Sequence, residues 1–298
     1  MENMKKKGII SWKRKVFPYI LIAPNSAIFL LFILIPAING IRYSLSDWEG
    51  IGVPEFVGFE NYLKAFQDTK FWDSMLNTCI YTIFALPLII IVPLLLANLM
   101  IQEFRGKGLF RAVFYWPSMI SYIVVGVSFK FIFGDASGIV NYLLTQLGMG
   151  RVDWLTQNGT AMGVVVLATV WSRAGFYMVI FMAGLQSISV SYYEAADVDG
   201  ANVFQKFFRI TLPLIRPTTF LVLILGLIDL FKAYGLVISL TGGGPAGATK
   251  FIVQYIYERA FSEFNMGYAC TLSIILMVVL GIFTGIQFAI NKGGRINA

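Results

Sequence analysis

Six long apolar stretches constrain this chain more than any other feature: residues 17–38, 74–100, 112–133, 161–187, 218–240 and 267–290. A helix rises about 1.5 Å per residue, so about 20 mainly apolar residues cross the hydrocarbon core of a bilayer. With 57% hydrophobic and only 13% charged residues in 298, no soluble fold of this size hides that much apolar surface. The expected fold class is all-α, a polytopic membrane protein of six transmembrane helices forming a single transmembrane domain over residues 1–298. The first stretch follows a basic run, but it is too long for a signal-peptide core and no small-x-small cleavage site closes it, so it is read as a retained helix.

Lysines and arginines orient the spans. With the N-terminus inside, Lys5, Lys6, Lys7, Lys13, Arg14, Lys15, Arg105, Lys107, Arg111, Lys206, Arg209, Arg216, Lys292 and Arg295 fall on cytoplasmic segments, against Lys64, Lys70, Arg151, Lys250 and Arg259 outside. Fourteen against five is a strong positive-inside bias. It predicts a multi-pass protein of the cell membrane with both termini cytoplasmic. Because these charges sit at the ends of apolar runs, the net charge of +7 reads as topology and lipid contact, with no nucleic acid.

The chemistry available is narrow. The chain has no histidine, which removes the commonest metal ligand and general base. Cys79 and Cys270 are its only cysteines, too few for a thiolate metal site. They read either as a disulfide or as two small buried apolar residues. No phosphate-cradling G-x-x-x-x-G-K-[ST] occurs: Gly106-Lys107 lacks the earlier glycine and precedes Gly108. Residues 242–247 formally satisfy G-x-G-x-x-G but follow a membrane helix rather than a strand, and read as a turn. No catalytic residue, metal or cofactor is expected.

Ionisable residues within spans cost roughly 2.5–3.5 kcal/mol each at mid-membrane, so each requires a reason. Lys130 lies near a helix end and can snorkel. Asp229 and Lys232 stand three apart and can pair on one face or line a path. Arg173 has no carboxylate on its own helix and must look inward. Polar solutes are held by aromatic faces and hydrogen-bonding groups, so Arg173, Tyr177, Asp229, Lys232 and Tyr234 are the candidates for a substrate path. Gly281 and Gly285 form a small-x-x-x-small pair that serves packing within the chain or against another membrane chain.

The connections carry further signals. Residues 139–147 are amphipathic and expected along the outer interface. Residues 242–245 open the third outer loop as a flexible glycine run. The inner loop 189–217 reads as two short helices with a bend: Ser191 and Glu194 at capping-box spacing, Gly200 at a left-handed helix end, Asn202 capping a second helix whose Phe204, Phe207 and Phe208 share a face, Leu212-Pro213 ending it, and Pro217 in the first turn of the next span. So apolar a pair of helices either folds back on the chain's own spans or docks on a partner.

Within that loop Glu194-Ala195-Ala196, Asp199-Gly200-Ala201, Ile210, Leu212-Pro213 and Pro217 resemble the EAA loop of binding-protein-dependent ABC importers. Phe56-Val57-Gly58-Phe59-Glu60-Asn61-Tyr62 and Leu240-Thr241-Gly242-Gly243-Gly244-Pro245 resemble segments of the carbohydrate permeases of that family, which is typified by the larger maltose permease and by multiple-sugar, raffinose and lactose permeases. Gly235 departs from an acidic residue frequent there. The resemblance implies the transmembrane domain of a type I ABC importer. Glu194, Ala195, Ala196, Asp199, Gly200, Ala201, Phe204, Leu212 and Pro213 would couple it to a separate ATP-binding cassette ATPase subunit. A second homologous permease, an extracytoplasmic solute-binding protein and a di- or oligosaccharide would complete the system. Glycerol 3-phosphate is the alternative cargo. An ion-coupled secondary transporter would require midplane carboxylates, of which only Asp229 offers itself, and a membrane enzyme lacks any suitable cluster.

Overall fold

The computed structural model describes residues 17–290; Lys5, Lys6, Lys7, Lys13, Arg14, Lys15, Lys292 and Arg295 lie outside them. In chain order the elements are α1 (Phe17–Ser44), a minimal antiparallel hairpin of β1 (Ser46–Asp47) and β2 (Glu55–Phe56), α2 (Glu60–Gln67) and α3 (Thr69–Ile101). There follow α4 (Lys107–Tyr115), α5 (Tyr122–Ile132), α6 (Ile139–Gln146), α7 (Asn158–Gln186), α8 (Val190–Val198) and α9 (Val203–Leu214). The described residues end with α10 (Arg216–Phe231), α11 (Gly235–Leu240), α12 (Ile252–Tyr257) and α13 (Met266–Ile290).

Four of these helices, α1, α3, α7 and α13, are long and apolar enough to cross a membrane unaided, and two bent pairs bring the count of candidate spans to six. Two of the six stretches expected to span are not continuous helices. Residues 112–133 are not one helix: α4 passes into a 3₁₀ turn at Trp116–Met119 and meets α5 at 99°. Pro117 has no N–H to donate there, and Ile120 and Ser121 are extended. Residues 218–240 are likewise interrupted, because α10 ends at Phe231 and the chain resumes helix only at Gly235. The N–H groups of Lys232 and Ala233 fold back on Ile228 and Leu230 at 3.2 and 3.1 Å, closing the helix without a proline.

Among the described residues two compact units are distinguished, 17–67 with 259–276, and 68–258 with 277–290. In the first, none of the most apolar window of α1 is buried, as suits a helix whose neighbours are lipid or another chain. The motif around Asn61 is a clamp. Asn61 Nδ2 donates to the carbonyls of Ser44 (3.3 Å) and Ser46 (2.9 Å), the Tyr62 hydroxyl meets Ser44 Oγ at 2.8 Å, and Thr271 Oγ1 donates to Ser44 O at 2.8 Å.

The second unit is built on α3 and α7. Asp68 caps α3 by accepting the N–H groups of Lys70 (3.0 Å) and Phe71 (3.3 Å). Tyr81, Ala85 and Ile89 of α3 bury against a core that includes Val165, Ala168, Tyr177, Met178 and Phe181 of α7. Two glycines admit backbone crossings: a Cβ at Gly175 of α7 would stand 2.0 Å from Phe114 O at the end of α4, and one at Gly126 of α5 only 2.6 Å from Leu236 O of α11. At Gly281 and Gly285 no described atom lies within 4 Å of such a Cβ, so that small-residue pair does not serve packing within the described chain.

The loops are more ordered than their composition suggests. The glycine run expected to be flexible is a fixed turn: Thr249, fully buried, pairs its Oγ1 with Thr241 Oγ1 (2.7 Å) and donates to Gly244 O, while Gln254 Nε2 donates to Gly242 O (3.0 Å). The stretch at 139–147 does form a helix, α6, anchored by the buried Asn141. Its Nδ2 donates to Asp135 O (3.0 Å) and Val152 O (2.9 Å), and its Oδ1 accepts from Val152 N and Trp154 Nε1 (both 3.1 Å). Asn141→Leu strands all four partners and is expected to cost about 2–3 kcal/mol, measurable as a lower thermal-unfolding midpoint of the purified protein. Cys79 and Cys270 are both free, partly buried thiols.

Candidate functional site

The inner loop folds as the hairpin α8–α9. Its turn is a Schellman closure: Gly200 sits at φ 74°, its N–H bonds Asp197 O (3.1 Å) and the N–H of Ala201 bonds Ala196 O (2.9 Å). Asn202 opens α9 with a full capping box, Asn202 Oδ1 accepting Gln205 N and Gln205 Oε1 accepting Asn202 N. The Ser191–Glu194 box expected for α8 is absent, since Ser189 is the N-cap. Pro213 does not stop α9 either. A π turn over Phe207–Thr211, closed by Leu212 N–H on Phe207 O, absorbs its missing donor, and the helix ends at Leu214. Pro217 does lie in the first turn of α10.

The hairpin is braced internally by Tyr193 OH against Thr211 Oγ1 (2.9 Å) and by a Lys206–Asp197 ion pair. Only part of its apolar surface turns inward. Phe207 packs on the bundle core and Ala196 is buried, so the three phenylalanines do not share one face. Phe204 and Phe208, four apart, stay exposed with Val190, Tyr192, Val198 (89%) and Val203. Glu194, Ala195, Asp199 and Gly200 are exposed beside them, Leu212 is borderline exposed, and Ala201 and Pro213 are half-buried.

The substrate-path candidates gather in the second unit around a cavity of about 110 Å³, lined among others by Tyr81, Tyr122, Thr169, Arg173, Asp229, Lys232 and Tyr234. Arg173 reaches across from α7 to α10, its Nη2 standing 3.2 Å from Asp229 Oδ2. The same oxygen accepts the Tyr177 hydroxyl at 2.8 Å. The guanidinium lies 4.7 Å from the Tyr122 ring centre and 5.8 Å from that of Phe176, a stacked cation–π seat. Asp229 therefore pairs across helices with Arg173. Among the described residues no ion pair joins it to Lys232, which closes the C-terminus of α10 and is exposed. Tyr177 is fully buried behind the carboxylate and positions it, rather than lining the cavity. Tyr234 lies beside Tyr257, the rings tilted and their centres 5.0 Å apart. Sequence reasoning missed Tyr122, Tyr81 and Thr169, the last two joined hydroxyl to hydroxyl at 2.8 Å. Hydroxyls at helical spacing in apolar spans were the available signal.

A membrane bundle with an internal polar cavity, an exposed apolar hairpin and no nucleotide-cradling motif has the build of a transport component. Its relatives agree. The family described as "Binding-protein-dependent transport system inner membrane component" matches residues 62–293, and the chain belongs to that family, a multi-pass protein of the inner membrane. It is 32% identical over 277 residues to the probable starch degradation products transport system permease protein AmyD of Thermoanaerobacterium thermosulfurigenes, covering 93% of this chain and 94% of that one. It is 33% identical over 281 residues to the sn-glycerol-3-phosphate transport system permease protein UgpA of Rhizobium meliloti (strain 1021), covering 94% and 96%. A chain in the crystal structure of a bacterial ABC transporter involved in the import of the acidic polysaccharide alginate superposes with a TM-score of 0.83 at 25% identity, over 98% of this chain and 100% of that one.

Proposed function

We propose that this chain is a permease subunit of an ABC importer that carries a sugar, a di- or oligosaccharide, into the cytoplasm. The α8–α9 hairpin lies on the cytoplasmic side with both termini and docks on a separate ATPase subunit. A second homologous permease completes the path, and an extracytoplasmic solute-binding protein delivers the cargo. The observation that carries this reading is the hairpin's exposed apolar surface, Val198, Val203, Phe204 and Phe208, interleaved with the charged Glu194, Asp197 and Asp199. Lipid does not suit such a mixed surface, whereas a protein groove does. A rigid, doubly capped hairpin transmits a displacement imposed by the ATPase to α10, which it joins at a 66° bend, and so to the cavity; this is alternating access by rigid-body motion.

The test is Gly200→Val in the reconstituted transporter. Nothing lies within 4 Å of the added Cβ, so the cost is the left-handed backbone alone, about 1–2 kcal/mol confined to the turn. Membrane insertion and assembly of the permeases are expected to persist while ATP-driven sugar uptake is lost. A disulfide crosslink from Val198→Cys to the ATPase should likewise weaken in the Gly200→Val background. Normal uptake by the variant, or no crosslink in a complex that pumps, would overturn the reading.

A further inference from the structure

The cavity carries more positive charge than it uses. Arg173 and Lys232 both line it, and Asp229 is the one carboxylate that does so among the described residues. Asp229 is committed: its Oδ2 already accepts Arg173 Nη2 and the Tyr177 hydroxyl. Lys232 needs no carboxylate to be stable, because it sits at the C-terminus of α10, where the helix dipole favours a cation. Its charge is left for something else. The nearby acid, Glu258, is held by Lys250 Nζ at 2.7 Å, so that pair adds no net charge. Arg173 also keeps capacity, since its buried Nε–H has no acceptor among the described residues, and such a donor is costly to leave unmade.

Size narrows the ligand. Pockets that swallow whole small molecules run to about 300–1,000 Å³, whereas this one holds about 110 Å³. A cavity below that range suits one compact charged group better than a whole sugar. The aromatic rings of Tyr122 and Tyr234 at its wall offer apolar faces to the rest of a glycoside.

We infer that the cavity is an anion subsite: Lys232 and Arg173 take the carboxylate or phosphate of an acidic sugar or sugar-like phosphate ester, so that the cargo is anionic. This rests on the import reading and narrows it. The test measures equilibrium binding to the assembled membrane complex in nanodiscs of zwitterionic lipid, without the solute-binding protein. Two probe pairs differ only in charge: digalacturonate against its dimethyl ester, and glycerol 3-phosphate against glycerol. The charged member of at least one pair is expected to bind about tenfold or more tightly than its neutral partner, and the pair that responds distinguishes a uronate from a phosphate ester. Lys232→Gln is expected to weaken the charged probe's binding about tenfold more than the neutral probe's, and so to remove most of that preference. Equal binding within both pairs, no binding of any probe, or a preference that survives Lys232→Gln overturns the assignment. ATP-driven uptake of neutral oligosaccharides with no anion preference removes this inference and leaves the import reading standing. Anion preference in a complex that imports nothing on ATP does the reverse.

Discussion

Gly175→Leu is expected to yield no folded protein. A Cβ at this position would lie 2.0 Å from Phe114 O and 2.6 Å from Tyr115 Cα, contacts with backbone that no rotamer change relieves. Overpacking a core usually costs about 1–3 kcal/mol because side chains yield. Here the end of α4 would have to withdraw from α7 and take with it the 3₁₀ turn that aims α5 at the cavity. Loss is therefore expected to exceed that range and to approach the roughly 5–15 kcal/mol that holds a typical domain together. The control is Gly281→Leu, where no described atom lies within 4 Å and the added side chain meets open space. Size-exclusion profiles of the two variants in detergent give the comparison: Gly281→Leu monodisperse at wild-type yield, Gly175→Leu aggregated or absent. Equal profiles would mean that the two backbones do not cross as described.

That crossing illustrates where sequence reading stops. Local features without a close competitor were legible. Gly200, Asn202 and Pro217 each act through neighbours within five residues, and each does in the fold what its type and spacing predict. The apolar stretches were legible because their length alone decides the matter. What failed involved competition among equally local options or partners far along the chain. Ser191 lost the N-cap to Ser189, and Pro213 was absorbed by a π turn rather than ending its helix. Lys232 stood three residues from Asp229, the spacing of a pair, yet the carboxylate turned to Arg173 and to Tyr177, 52 residues away. No periodicity encodes that choice; it follows from α7 and α10 packing face to face. The break after Phe231 had no proline to mark it, and Gly175 and Gly126 looked like any glycine in a membrane helix. Asn141 carried the opposite lesson, since a lone polar residue on an amphipathic helix proved to be the peg that holds a loop.

Asp229→Leu is expected to cost about 2–3 kcal/mol, and Arg173→Met about the same, while the double variant recovers most of the loss. Removing one partner of a fully buried ion pair costs about 3–5 kcal/mol, because the other charge is left uncompensated. The side chains here are 22% and 33% exposed, so water screens part of the penalty and the lower figure applies. Replacing both charges by apolar groups removes the desolvation cost together with the attraction, and such replacements are often neutral or stabilising. One residue prevents full recovery: the Tyr177 hydroxyl, on a fully buried side chain, loses its acceptor at Asp229. An orphaned hydroxyl costs about 1–3 kcal/mol, so Tyr177→Phe added to the double variant should restore stability to near the starting value. Thermal midpoints of the single, double and triple variants give the coupling energy directly. Additive losses from Asp229→Leu and Arg173→Met would mean that the two side chains do not meet, and would remove the fixed carboxylate on which the charge balance of the cavity depends.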